Sequence, residues 1–122
     1  MRLGVSSAMA DSQSVTMRGG GLSLAANTEN TVGVLSITYA GGRIELDEGS
    51  KLTVANIESW QIGQIDGRLK IEGPYDPNRQ QLVFPMLTAQ QRKAITWNGE
   101  RIMQKADGTL ALRPRNLRII IR

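Results

Sequence analysis

The chain has 122 residues, 15 Lys and Arg against 11 Asp and Glu for a net charge of +4, and neither cysteine nor histidine. That length makes one domain, large enough to bury about two thirds of its unfolded surface without a covalent staple. The missing residue types exclude disulfides, thiol nucleophiles and thiolate metal sites, and remove the commonest general base and transition-metal ligand.

Residues 1–31, MRLGVSSAMADSQSVTMRGGGLSLAANTENT, are rich in Ser, Ala, Gly and Asn and hold no long apolar run. They read as an extended N-terminal arm, with Gly19-Gly20-Gly21 as a hinge to a single β domain over residues 32–122. An arm of this composition cannot offset its own ordering entropy, so it is expected to lie against its domain or a neighbouring subunit. Ala8-Met9-Ala10 imitates a signal-peptidase site, but Leu3-Gly4-Val5 is too short an apolar region, so no signal peptide is expected. No run approaches the roughly 20 apolar residues of a membrane span.

From Val32 to Gly73 short alternating runs are cut by Gly41-Gly42, Asp47-Glu48-Gly49 and Asp66-Gly67, steps that supply the positive φ of tight hairpin turns. A Gly41-Gly42 turn pairs Tyr39 with Ile44 and Ile37 with Leu46. A three-residue loop ending on a left-handed Gly49 pairs Ile44 with Leu52, so the apolar side chains share one face. Asp66-Gly67 pairs Ile62 with Ile71 and Gln64 with Leu69. These registers predict an all-β fold, mainly antiparallel hairpins closed as a sandwich or small barrel.

Two prolines break the chain at residues 73–78, and Pro85 confines the run from Leu82 to Met86 to an edge strand or a strand end. Thr88 is placed to cap one short helix near 88–94, the one stretch of good helix formers. Asn98-Gly99 predicts a hairpin pairing Trp97 with Glu100, and Asp107-Gly108 a second pairing Lys105 with Leu110. Arg113-Pro114-Arg115 predicts a kink before a last strand, LRIIIR, paired in its own sheet or donated to a neighbour.

Residues 1–60 carry four basic and six acidic side chains, a balance of −2; residues 61–122 carry eleven and five, a balance of +6. Arg101, Lys105, Arg113, Arg115, Arg118 and Arg122 make a basic footprint that suits phosphates or an acidic protein. Trp60 and Trp97 lie in alternating strands and read as core or interface anchors. Asp47, Asp66 and Asp107 sit in turns, where acids serve local hydrogen bonding. No phosphate loop, nucleophile elbow or calcium loop occurs, so no catalytic, cofactor or metal residue is assigned and the chain is read as a non-enzyme.

The glycine-punctuated short strands, the aliphatic content and the Ser/Gly/Ala-rich N-terminal segment resemble the small β proteins of tailed-bacteriophage particles, such as capsid decoration proteins and tail or fibre components. The resemblance implies a structural subunit of a virion, cytoplasmic before assembly, that forms homo-oligomers such as trimers and contacts other assembly proteins. The chain departs from the shaft-type fibre pattern in having no fixed repeat or heptads. The alternative is a small β-barrel that binds nucleic acid through its basic C-terminal region.

Overall fold

The computed structural model describes residues 2–3 and 14–113. In chain order they form β1 (Arg2–Leu3), β2 (Ser14–Met17), β3 (Gly21–Leu24), β4 (Glu29–Ile37), β5 (Gly42–Glu45) and β6 (Lys51–Trp60). There follow β7 (Leu69–Glu72), β8 (Leu82–Val83), α1 (Ala89–Lys93), β9 (Ile95–Trp97), β10 (Glu100–Gln104) and β11 (Leu110–Leu112). Strands β1, β3, β5, β7, β9, β10 and β11 make a seven-stranded sheet, and β2, β4, β6 and β8 a four-stranded one.

As far as β9, every strand pairs parallel with the strand two places on. The chain therefore winds as a solenoid: a strand in one sheet, a corner, a strand in the other sheet, a corner, and on to the next coil. Alternation within each strand sends one set of side chains inward. Leu22, Ile44, Ile71 and Trp97 are register partners on β3, β5, β7 and β9, and all are at most 2 % exposed. From the other sheet Val32, Leu35, Ile37, Leu52, Val54 and Leu82 close the same core. Each such side chain contributes about 1.5–3 kcal/mol on burial, so stacking one coil on the next is what stabilises the fold.

This overturns the antiparallel sandwich or barrel. Ile44 does not face Leu52; its partners are Leu22 and Ile71, while Leu52 lies between Asn30 and Leu82. Ile71 pairs with Ile44 and Trp97 rather than Ile62. The physical reason lies in how the turns are bonded. Positive φ at Gly41, +76, is compatible with a two-residue hairpin turn, so the dihedrals do not decide the matter. The pairing does: Gly42 already lies in β5, whose partners are β3 and β7 and not the preceding β4. The step is a corner whose backbone groups bond to adjacent coils: Gly19 N donates to Gly41 O, Gly42 N to Arg68 O, and Gly67 N to Tyr39 O. Asp47-Glu48-Gly49 is likewise a corner, flanked by Leu46 N donating to Glu72 O and Lys51 N to Thr28 O. Strand-rich content with one short helix remains; the connectivity is what changes.

The extended arm gives way too. Residues 14–31 hold β2, β3 and the start of β4, and Met17, Leu22 and Leu24 lie in the core cluster. Gly19-Gly20-Gly21 spans a corner and the first residue of β3. A few aliphatics suffice because each coil needs to cover only its neighbour. The remainder of the arm, Met1 and residues 4–13, lies outside the described residues.

At the other end the winding stops. Strands β9, β10 and β11 are antiparallel neighbours. Asn98 and Gly99 both have positive φ, 51° and 80°, and Trp97 faces Glu100. The second hairpin is one residue off the expected register, with Gln104 facing Leu110. Gly108, at φ +92, closes a three-residue loop in which Lys105 N donates to Thr109 O at 2.9 Å. Phe84 N donates to Gly108 O, so this loop also caps β8, the two-residue last strand of the smaller sheet. Helix α1 begins with a capping box of Thr88 and Gln91. The Pro114-Arg115 step and the LRIIIR strand fall outside the described residues. Among those described, no helix is long and apolar enough to cross a membrane.

Candidate interaction surface

Parallel in-register pairing stacks outward-facing residues in rows, just as it stacks the core. On the outside of the seven-stranded sheet one row runs Gly21, Arg43, Lys70, Thr96 and Arg101. Arg113 N donates to Arg101 O at 2.9 Å and sets Arg113 beside it. Two positions along each strand, a second row runs Ser23, Glu45 and Glu72. Within a row, neighbours on adjacent strands are about 4.8 Å apart. Like charges directly opposite one another destabilise a sheet, so Arg43 beside Lys70 and Arg101 beside Arg113 both carry a cost. Arg43 is relieved by Glu45, whose Oε2 lies 3.2 Å from Nε, and Ser23 Oγ donates to the other Glu45 oxygen at 2.7 Å. Both partners of that ion pair are about half exposed, so it is worth roughly 0–1 kcal/mol.

Arg101 and Arg113 belong to a smaller, more concentrated feature. With Ala89, Arg92, Lys93 and Ile102 they line a cleft of 210 Å³ between α1 and the last strands. Arg92 is held there: its Nη1 donates to Leu87 O at 2.7 Å. Arg92 and Lys93 also occupy the last turn of α1, where cations complement the helix dipole. Four cationic side chains and no carboxylate line this hollow.

A second cleft, of 420 Å³, opens at the corner beside Lys70 and is lined by Tyr39, Arg43, Ile65, Asp66, Arg68 and Lys70, among others. Tyr39 is 56 % exposed and Ile65 81 %. The Arg68 guanidinium ties the two clefts together, donating to Lys93 O at 3.0 Å and to Gln64 O. At the opposite corner a cleft of 630 Å³ lies among Asn27, Glu48, Tyr75, Asp76 and Arg79. Its polar groups are spent on the fold: Arg79 Nη2 donates to Gly49 O at 3.0 Å, Gln81 Oε1 accepts from Asp76 N at 2.8 Å, and Gln81 Nε2 donates to Pro74 O at 2.7 Å.

Among the described residues that the sequence singled out, Arg101 and Arg113 come together. Lys105 lies four residues down β10 from Arg101, roughly 13 Å along an extended strand, in the turn with Asp107. Arg115, Arg118 and Arg122 lie outside the described residues. Trp97 is a core anchor: it is fully buried, its Nε1 donates to Gly73 O, and its ring meets Tyr75 edge-on at 5.0 Å. Trp60 packs against the core while Nε1 donates to Gly67 O at 2.7 Å. Sequence reasoning missed Arg43, Lys70, Arg92 and Lys93. The signal for the first two was present, since Arg43-Ile44-Glu45 and Lys70-Ile71-Glu72 repeat one pattern that stacks only when the strands run parallel.

The chain matches no family model, no curated protein and no solved structure.

Proposed function

We propose that this chain is a non-enzymatic structural and interaction module of a larger assembly, of the kind found in phage-like particles, working as a repeated subunit. The observation that carries this reading is the parallel stack of coils. Each inner coil bonds its backbone to coils on both sides, making a stiff body whose outer residues stand in fixed rows. Such a body suits the presentation of surface to neighbours, since side chains built on strands are held more firmly than those on loops. The clefts lie open along its corners and sheet, and the hydrogen bonds of the 630 Å³ cleft serve the fold. Sedimentation of the whole chain and a map of the particle it comes from test the reading. Self-association or stoichiometric incorporation into a particle is the expected result. A protein that stays monomeric at all concentrations and is found in no assembly would overturn it.

A further inference from the structure

The cleft between α1 and the last strands has charge the fold itself does not require. Arg92 serves the fold through Leu87 O and, with Lys93, at the last turn of α1, which leaves Arg101 and Arg113, among the described residues, without a structural duty for their charge. Arg101 and Arg113 stand side by side on adjacent strands, an arrangement that repels until an anion is placed between them. Three of the four cations are arginines, whose planar forks match the paired oxygens of phosphate. Two strand steps along the row, about 10 Å away, stands Lys70, and past it the second cleft offers the exposed ring of Tyr39.

We propose that this track, from Arg92, Lys93, Arg101 and Arg113 through Lys70 to Tyr39, binds the phosphate backbone of single-stranded nucleic acid, independently of the particle role above. The width of the track argues for one strand. Glu45 and Glu72 form an acidic row beside Arg43 and Lys70, which repels the second backbone of a duplex and confines a polyanion to single file. The exposed tyrosine argues for bases over a sulfated sugar chain or an acidic peptide, because an aromatic face stacks on any base. The basic cleft has no aromatic lining, so its contacts position the backbone and carry no sequence information.

The test is a fluorescence-anisotropy titration of the whole chain with a short thymidine oligonucleotide across a salt series, with heparin and polyglutamate as competing probes. Phosphate contacts on single strands give a log-log salt slope of about −0.7 each, so four to five cations predict a slope near −3. Arg101→Gln with Arg113→Gln is expected to flatten that slope by about 1.4 and to weaken binding at least tenfold. Tyr39→Ala is expected to weaken binding with the slope unchanged. Should the double variant fail to fold, Lys70→Gln with Lys93→Gln, both exposed, reads the same change of slope. An unaltered slope in the charge-removing double variants, or unaltered affinity in Tyr39→Ala, overturns the proposal. So does tight binding of heparin or polyglutamate with none of the oligonucleotide, or a loss confined to replacement of Arg115, Arg118 and Arg122.

Discussion

Two loops of this chain look alike and do opposite things. Asp47-Glu48-Gly49 and Ala106-Asp107-Gly108 each end on a left-handed glycine, at φ +77 and +92. Each closes with a short-range backbone bond, Ser50 N to Asp47 O and Gly108 N to Lys105 O. The first turns the chain from one sheet into the other, and the second folds it back on its own strand. What differs is where the flanking groups find partners. Beside the first loop, Leu46 and Lys51 donate to other coils; beside the second, Lys105 donates across the loop to Thr109. A turn signal therefore reports a reversal of course but not whether the next strand lies beside the last one or across the core from it.

The sharpest way to break the contrast is at Trp97, which joins the parallel stack to the hairpins by facing Ile71 on one side and Glu100 on the other. Trp97→Ala is expected to cost about 3–5 kcal/mol, and Leu112→Ala, half-buried on the last strand, about 1–2 kcal/mol. Denaturant unfolding followed by two probes checks this. Non-coincident transitions would mean that coils and hairpins fold as separate units.

Next in size is the difference between a coil corner and a hairpin tip. An alanine Cβ at Gly41 would run into the Arg68 carbonyl of the next coil, whereas at Gly99 it would meet nothing within 4 Å. Both glycines are left-handed, so each substitution costs about 1 kcal/mol or more in backbone strain. Crowding adds roughly 1–3 kcal/mol at Gly41 alone. Melting curves of Gly41→Ala and Gly99→Ala should therefore separate clearly, and equal losses would dissolve the distinction.

The smallest effect concerns acid. Thr109 N donates to the Asp107 carboxylate at 2.9 Å. That bond, with a second from the Thr109 side chain, one from Gln80 and the charge of Lys105, holds its pKa below the ordinary aspartate value. A carboxylate depressed in the folded state stabilises it above the ordinary pKa, and that contribution fades as pH falls through the lowered value. Asp107→Asn should accordingly leave a shallower loss of stability in strong acid than the parent shows. Unfolding midpoints of both proteins across an acid series check this, and parallel curves would remove Asp107 from the account.

Much of this protein was legible in its residues, because burial alternates with period two whatever the strand order. Tyr39, Ile37, Ile44, Leu46, Leu52 and Val54 were expected on one buried face; all but Tyr39, which is exposed, lie in one core, though with other partners than the expected registers gave. The Thr88 cap, the left-handed Gly49 and the Asn98-Gly99 hairpin are local chemistry and stand as the sequence reads. Part of the site was legible too, since Arg101 and Arg113 are basic on alternate positions of the last strands. Arg92 and Lys93 reach the same cleft from a helix, which no spacing along the chain announces.

Strand order was decided only by the tertiary structure. Register partners on successive coils lie 22, 27 and 26 residues apart, at Leu22, Ile44, Ile71 and Trp97, so no fixed period marks the winding. Corners of unequal length absorb the difference, and a chain that alternates inward and outward satisfies hairpins and coils equally well. The choice falls to long-range backbone bonds between corners, such as Gly42 N to Arg68 O and Leu69 N to Ala94 O, which exist only once the coils have stacked.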